Sequence, residues 1–286
     1  MEYLRILKNK NKITSNTSDH RSYSETTNNF SIRFVFSGNE NCSIGRRQLS
    51  LHTDSFIMLN KGTQFTSSSD PRLPVNVLSV EFDEEYLNEF GAKFFKGKKG
   101  GLFDAEHVAY QLRETIYPLK ADLKLAISRL KSVIEDEAAD ETLINELLQR
   151  CLQNCCRIYN EEISLKAKKL NFLNINTRIE ILRRLNLAKE YLYANYDKNV
   201  SLESVANYSC LSVNHLLRTF KLAYNQSPHQ YLIQIRLQRA QLLLAKTEYP
   251  VYEIVNMVGF KCTSSFIRLF RNRYQTTPLK YRNVAA

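Results

Sequence analysis

This 286-residue chain holds little of what metal and nucleophile chemistry requires. Its five histidines, at 20, 52, 107, 215 and 229, form no H-x-H pair, and its six cysteines, at 42, 151, 155, 156, 210 and 262, lack the C-x-x-C spacing of zinc sites. No metal and no cofactor is expected, and the thiols read as free groups in a reducing compartment. G-x-S-x-G is absent and no nucleophile–base pair stands out, so no catalytic residue is expected and the chain does not read as an enzyme. The segment Phe94–Leu102, with Lys96, Lys98 and Lys99 among glycines, lacks the G-x-x-x-x-G-K-[ST] order and reads as a plain loop. No apolar run reaches the roughly 18 residues of a membrane span. The N-terminus passes from Lys8, Lys10 and Lys12 into a Ser/Thr/Asn-rich stretch instead of an apolar leader core. A soluble cytoplasmic protein without a membrane partner is the expectation. Glycine is scarce as well: of eight, only Gly259 lies beyond Gly101.

Positive charge is what the chain has, and it is unevenly placed. The formal net charge is +11. From Ile175 onward sixteen Lys and Arg stand against six Asp and Glu, about +10, which leaves about +1 for everything before. A basic C-terminal part points to a polyanion. Nucleic acid fits better than anionic lipid, because the apolar positions there serve compact motifs and not one exposed amphipathic face.

Texture divides the chain into four segments. Residues 1–29 are polar, crowded with Asn, Ser and Thr, and read as only partly ordered. From residue 30, apolar runs at Phe30–Phe36, Gln48–Leu51, Ser55–Leu59 and Val75–Phe82 alternate with Gly38, Gly45, Gly62, Pro71 and Pro74, which predicts a small antiparallel β domain over 30–117. Residues 118–172 turn helical: one helix over Ala121–Ile134, then a stripe of Leu143, Ile144, Leu147, Leu148, Cys151, Leu152, Cys155, Ile158 and Tyr159 at three- and four-residue steps. That stripe fits either packing within its own domain or a subunit interface. Residues 173–286 hold the basic region.

Within it the sequence repeats itself at an offset of fifty. Arg218 and Phe220 recur as Arg268 and Phe270, Pro228 and Tyr231 as Pro278 and Tyr281, and Glu203 and Val205 as Glu253 and Val255. Two copies are too few for a solenoid. Each copy parses as short helix, tight turn, second helix: Ser201 caps Leu202–Tyr208, and Ser212 caps Val213–Leu222. In the second copy Pro250 opens Val251–Val258, Gly259 supplies the turn, and Cys262 or Thr263 begins a helix to Tyr274. Between them Ser227 and Pro228 start a stiff connecting helix through Tyr231–Ala245. This is a pair of helix-turn-helix motifs.

The segments S-L-E-S-V-A (201–206), S-V-N-H-L-L-R-T-F-K (212–221), S-P-H-Q-Y-L (227–232), R-L-Q-R-A (236–240), V-Y-E-I-V (251–255), V-G-F (258–260), S-F-I-R-L-F-R (265–271) and T-P-L-K-Y-R (277–282) resemble the AraC/XylS family of bacterial transcription regulators. The likeness covers roughly residues 176–282. Where that family has Gly before S-P and T-P, this chain has Asn225 and Gln275; Asn tolerates the left-handed conformation such a helix end needs, and Gln pays more. A fainter resemblance over 30–90, in strand spacing and in L-S-V-E-F-D-E-E-Y-L at 78–87, is to the cupin-like effector domain of such regulators. The fold implied is α+β: a small cupin-like β-barrel with a helical dimerisation segment, then an all-α domain with two helix-turn-helix motifs on a linker helix.

The resemblance implies sequence-specific binding of double-stranded DNA, with helices 212–222 and 263–274 entering successive major grooves about 34 Å apart. Base edges would be read by Val213, Asn214, Leu217 and Arg218 in the first and by Thr263, Ser264, Ile267 and Arg268 in the second. Phosphates would be met by Ser201, Lys221, Lys261, Arg271, Arg273 and Lys280. Leu216, Phe220, Phe266 and Phe270 point into the motifs as core. The partners implied are DNA, a small-molecule effector, a second copy in a homodimer, and RNA polymerase. The residues that would bind an effector are unknown; Arg33 and His52 fit a barrel interior and a solvent face equally. Two alternatives stay open: a front domain that binds a protein, and a cupin enzyme fused to a DNA-binding domain.

Overall fold

The run F-S-I-R-F-V-F-S at 30–37 puts large apolar side chains on both sides of an extended backbone, which is stable only where both faces of a sheet are covered. A computed structural model, describing residues 2–18, 22–69, 74–94, 114–136, 139–170, 172 and 174–285, shows that covering. The chain forms two units, Met1–Leu165 and Lys166–Ala286.

The first unit runs β1 (Glu2–Ile6), β2 (Lys12–Ser18), β3 (Ser22–Thr26), β4 (Phe30–Ser37), β5 (Asn39–Ile44), β6 (Arg47–His52), β7 (Ser55–Leu59), β8 (Gln64–Ser69), β9 (Val75–Phe82), α1 (Glu84–Phe94), β10 (Ile116–Pro118), α2 (Ala121–Ile134) and α3 (Glu141–Asn160), ending in a π-helical turn, Glu161–Leu165. The strands make a six-stranded sheet, β1-β2-β9-β4-β7-β10, and a four-stranded one, β3-β8-β5-β6, with every pairing antiparallel. Among the described residues they close no barrel; the expected cupin-like barrel is replaced by two separate sheets. Between the sheets lies a core of Val35, Cys42, Leu49, Leu51, Ile57, Leu59, Phe65, Val75 and Ile116. On the opposite face of the larger sheet, ring contacts lead out to the helices: Phe34–Phe56 at 5.6 Å, Phe56–Tyr117 at 5.5 Å and Tyr117–Tyr159 at 5.8 Å. Six of the eight residues of β4 are buried because it sits where both layers meet it.

Two expectations change here. The segment 1–29, read as polar and only partly ordered, contributes β1, β2 and β3. The apolar stripe of α3 is buried within this unit, Ile144, Leu148, Cys155 and Ile158 to 0%, and α2 supplies Leu123, Ile127 and Leu130 against it. Own-domain packing uses the face that could have served a dimer. Of the lysine-and-glycine loop at 94–102, only Phe94 falls inside the described residues.

The second unit is helical: α4 (Lys166–Lys169), α5 (Ile175–Ala194), α6 (Leu202–Tyr208), α7 (Val213–Tyr224), α8 (Pro228–Lys246), α9 (Val251–Met257), α10 (Thr263–Tyr274) and α11 (Pro278–Ala285). Asn174, Ser201, Ser212 and Ser227 cap their helices, the last in a full capping box with Gln230 and with Pro228 at the first position. One side of α8, with Leu237, Ala240 and Leu244, packs on Ile254, Val255, Val258, Phe266 and Phe270 of the second motif. Among the described residues no helix is long and apolar enough to cross a membrane.

Candidate nucleic-acid interface

The two motifs are built on the same anchors. Phe220 meets Tyr224 at 4.5 Å and Tyr231 at 5.6 Å, and Phe270 meets Tyr274 at 4.6 Å and Tyr281 at 5.8 Å. Each triad joins a second helix to the helix that follows it, so the repeat at fifty residues is a repeat of packing. Leu216, Phe220, Phe266 and Phe270 are all fully buried behind their helices. Both second helices end alike: Asn225 at φ 57°, ψ 20° and Gln275 at φ 57°, ψ 18°, each N–H bonding back to the carbonyl of Lys221 or Arg271. Gln275 thus takes the left-handed cap as Asn225 does, at a cost of about 1 kcal/mol for a residue with a Cβ.

The register is not fifty throughout. Val205 and Ala206 of α6 are buried where Ile254 and Val255 of α9 are buried, and the turn bonds Leu211 N to Ala206 O (2.9 Å) and Phe260 N to Val255 O (3.0 Å) match in the same way, an offset of 49. The pairing of Glu203 with Glu253 and Val205 with Val255 is therefore out by one. The second turn is one residue longer, and the offset becomes fifty from the N-caps Ser212 and Cys262 onward. Gly259 is required where it stands. Its φ is +80°, and a Cβ there would lie 2.7 Å from the carbonyl oxygen of Asp197 and 2.8 Å from that of Tyr196. That loop is itself held by α8: Arg236 donates from Nε to Tyr196 O and from Nη2 to Lys198 O, both at 2.7 Å, and lies 5.8 Å from the centre of the Phe260 ring.

The faces left uncovered are the N-terminal halves of α7 and α10. Asn214 and Arg218 are exposed, with Val213 and Leu217 half-buried beside them; Thr263, Ser264, Ile267 and Arg268 are all exposed. On the first face His215 stands edge-on to Phe172 at 6.0 Å, and burial together with Arg218 and Arg184 pushes its pKa down. Lys221, Lys261, Arg271, Arg273 and Lys280 are exposed. Ser201 is exposed too, its Oγ accepting from Ser204 N at 3.1 Å. Among the described residues none of these five cations is held in an ion pair, whereas Arg183 and Arg184 on α5 both bind Glu180 and lower its pKa to about 2. The second unit thus presents two exposed helix starts with loose cations around them.

Residues 205–283 match the family model described as a helix-turn-helix domain. The Msm operon regulatory protein of Streptococcus mutans is 24% identical over 257 residues, 89% of this chain and 84% of that protein. Residues 205–283 are an AraC/XylS-type helix-turn-helix domain. The chain is a DNA-binding transcription regulator. Locally the likeness rises: the HTH-type transcriptional regulator MtrA of Neisseria gonorrhoeae is 39% identical over 88 residues, 31% of this chain and 27% of that one. A solved transcriptional regulator from Chromobacterium violaceum, with an AraC-type DNA-binding domain, is 28% identical and covers 40% of this chain and 97% of its own, with a TM-score of 0.35.

In the first unit of this regulator, Arg33 and His52 are both buried, at 5% and 1% exposure, so neither faces solvent. His52 shares a 2.8 Å hydrogen bond with Ser50 Oγ. Arg33 is held between the sheets by Glu40, at 2.6 Å, and by Tyr23. Sequence reading left the choice open for Arg33, yet its two-residue spacing from Val35 puts both on the face that meets the second sheet.

Proposed function

We propose that this regulator reads two short DNA elements in successive major grooves of one duplex. Val213, Asn214, Leu217 and Arg218 read the first, and Thr263, Ser264, Ile267 and Arg268 the second. Ser201, Lys221, Lys261, Arg271, Arg273 and Lys280 meet phosphates. The observation that carries the reading is the matched pair of exposed helix starts on matched aromatic anchors, both packed against α8. In this reading residues 173–286 bind DNA, and the sensing domain expected over 30–117, extended by β1, β2 and β3, takes an effector in a cavity of about 310 Å³ between its two sheets, lined among others by Thr14, Tyr23, Arg33, Glu40 and Ser79. The protein acts on cytoplasmic DNA, does no catalysis, contacts RNA polymerase, and pairs as a homodimer through a surface other than the stripe of α3. A ligand regulates only if it favours one of two states.

The test is selection of random duplexes by the full chain, followed by titrations at several salt concentrations. Two enriched elements about one helical turn apart are expected. Arg218→Ala and Arg268→Ala should each lower affinity about 5- to 100-fold and relax the sequence of its own element alone. Lys261→Ala should weaken all duplexes alike and flatten the salt slope by about one. Binding without enrichment would remove the reading.

A further inference from the structure

The turns of the two motifs contain the same left-handed residue and brace it differently. Cys210 sits at φ 53° in the first turn and Gly259 at φ 80° in the second, a pair related by the offset of 49. In the first turn the side chain is exposed, and the backbone is held from the helix that precedes the motif: Arg184 of α5 donates from Nη1 to Cys210 O at 2.8 Å. In the second turn the room for a Cβ is taken by the loop that joins α5 to α6, whose Asp197 O and Tyr196 O would lie 2.7 and 2.8 Å from it. That loop belongs to the first motif. The glycine therefore marks a direct contact between the motifs, separate from the helix α8 that joins them.

Side chains build that contact into a junction. Tyr196 packs against the core of the second motif. Arg236, at the middle of α8, donates to Tyr196 O and to Lys198 O, both at 2.7 Å, and its guanidinium lies 5.8 Å from the centre of the Phe260 ring. Phe260 in turn meets Phe266 of α10 edge-on at 5.2 Å. On its other side the loop is tied to the first motif, since the amide and the side chain of Asn195 both donate to Tyr191 O, and Lys198 N donates to Asn195 O. A single helix between two bodies lets one pivot against the other, and a second attachment removes that freedom. With reading helices about 34 Å apart, a pivot of about 6° moves the far one by about 3.4 Å, the rise of one base pair.

We propose that Arg236 is a positioning residue that restricts this regulator to one spacing between its two DNA elements. It locks the loop of the first motif onto the turn that launches α10, and so fixes the second reading helix relative to the first. The proposal rests on the two-element reading above and adds to it a determinant of spacing that lies outside both reading helices.

Duplexes that carry both enriched elements at the preferred spacing, or with one base pair inserted or deleted between them, are titrated with the full chain. The unsubstituted protein should lose about 10-fold or more in affinity on either shift, because a displaced element costs at least what one wrong base pair does. Arg236→Gln should bind the preferred spacing within about 5-fold of the unsubstituted protein and cut the loss on shifting to about 3-fold or less. Arg236→Lys keeps the charge without the planar fork and should behave as Arg236→Gln does. Tyr196→Leu leaves Arg236 in place and should loosen the spacing too, so it carries the test if the Arg236 variants do not fold. In every folded variant selection should still enrich the sequence of each element. An unchanged loss on shifting in variants that still read both elements, weakening by one factor at every spacing, or loss of both sequence preferences in all three variants overturns the proposal and leaves the two-element reading intact. If the unsubstituted protein enriches no pair of elements, that reading falls, and the proposal falls with it.

Discussion

Adding one methyl group at Gly259 should open the second helix-turn-helix motif. An L residue held at φ +80° loses about 1–2 kcal/mol before any contact is considered. The new Cβ would then sit 2.7 Å from Asp197 O and 2.8 Å from Tyr196 O, inside contact distance of main chain and not of a flexible side chain. The loop is poorly placed to retreat, because Arg236 holds Tyr196 O and Lys198 O at 2.7 Å each. Overpacking of this kind adds about 1–3 kcal/mol, for a total of about 2–5 kcal/mol. Since the chain has two units, a single melting temperature mixes them, and amide hydrogen exchange is the better assay. In Gly259→Ala the amides of Val258, Phe260 and Phe266 should lose protection by about 30-fold or more. Gly62→Ala is the control: its φ is +84°, but nothing lies within 4 Å of its Cβ, so only the conformational part applies. If Gly259→Ala lowers protection around its turn no more than Gly62→Ala does around Thr63, the close approach to the 196–197 loop is not what demands glycine.

Three further outcomes are expected. Gln275→Gly should stabilise the second unit by up to about 1 kcal/mol, because it removes a left-handed strain, whereas Asn225→Gly should be nearly neutral; chemical denaturation followed by helix signal compares them. Because the pKa of folded His215 lies below the ordinary imidazole value of about 6.5, the unfolded chain binds the extra proton first. The stability this neutral histidine contributes is present above that value and is lost as pH falls through the folded pKa, so His215→Gln should flatten the acid limb of a stability–pH curve for the second unit, and an unchanged limb would refute it. Cys262, hydrogen-bonded to Ser264 and lowered to about 7, should be alkylated by iodoacetamide at neutral pH ahead of exposed Cys210 and of the buried Cys42, Cys151, Cys155 and Cys156, as peptide mass mapping would show.

The helices were readable from sequence because each carries its own punctuation. Ser201, Ser212 and Ser227 mark starts, Pro228 and Pro278 fix first turns, and the apolar period does the rest, so α2 and α6 fall on their expected limits and α7 and α10 within two residues. The polar strands were not readable, and the reason is physical. In K-I-T-S-N-T-S at 12–18, Lys12, Thr14 and Asn16 line a polar interior, and in Q-F-T-S-S-S at 64–69 Ser67 does the same, so the alternation that signals a half-buried strand is erased where the interior is hydrophilic. The features that hid β2 and β8 are those that line the cavity. The one-residue slip between the first helices was hidden for another reason: chance matches of Glu and Val at fifty masked a register that only burial and turn bonds reveal. The exposed faces of α7 and α10 needed no tertiary knowledge, since Leu216, Phe220, Phe266 and Phe270 fix the inward side.

The longer second turn also bears on how the two halves of the DNA-binding domain can exchange genetic material. From the caps Ser212 and Cys262 through the ring anchors Tyr231 and Tyr281 the copies run in step, residue for residue. A crossover bounded by those positions preserves chain length, the anchoring rings and the left-handed helix ends, but it also exchanges inward positions, Leu216 for Phe266, Thr219 for Leu269 and Ala223 for Arg273. A crossover that starts in the preceding helix delivers a segment one residue too long or too short to reach its cap. Retargeting by recombination therefore has a length-matched cassette of twenty residues, 212–231 for 262–281, and laboratory chimaeras of this regulator should be cut there while keeping the native residues at the buried positions 216, 219 and 223.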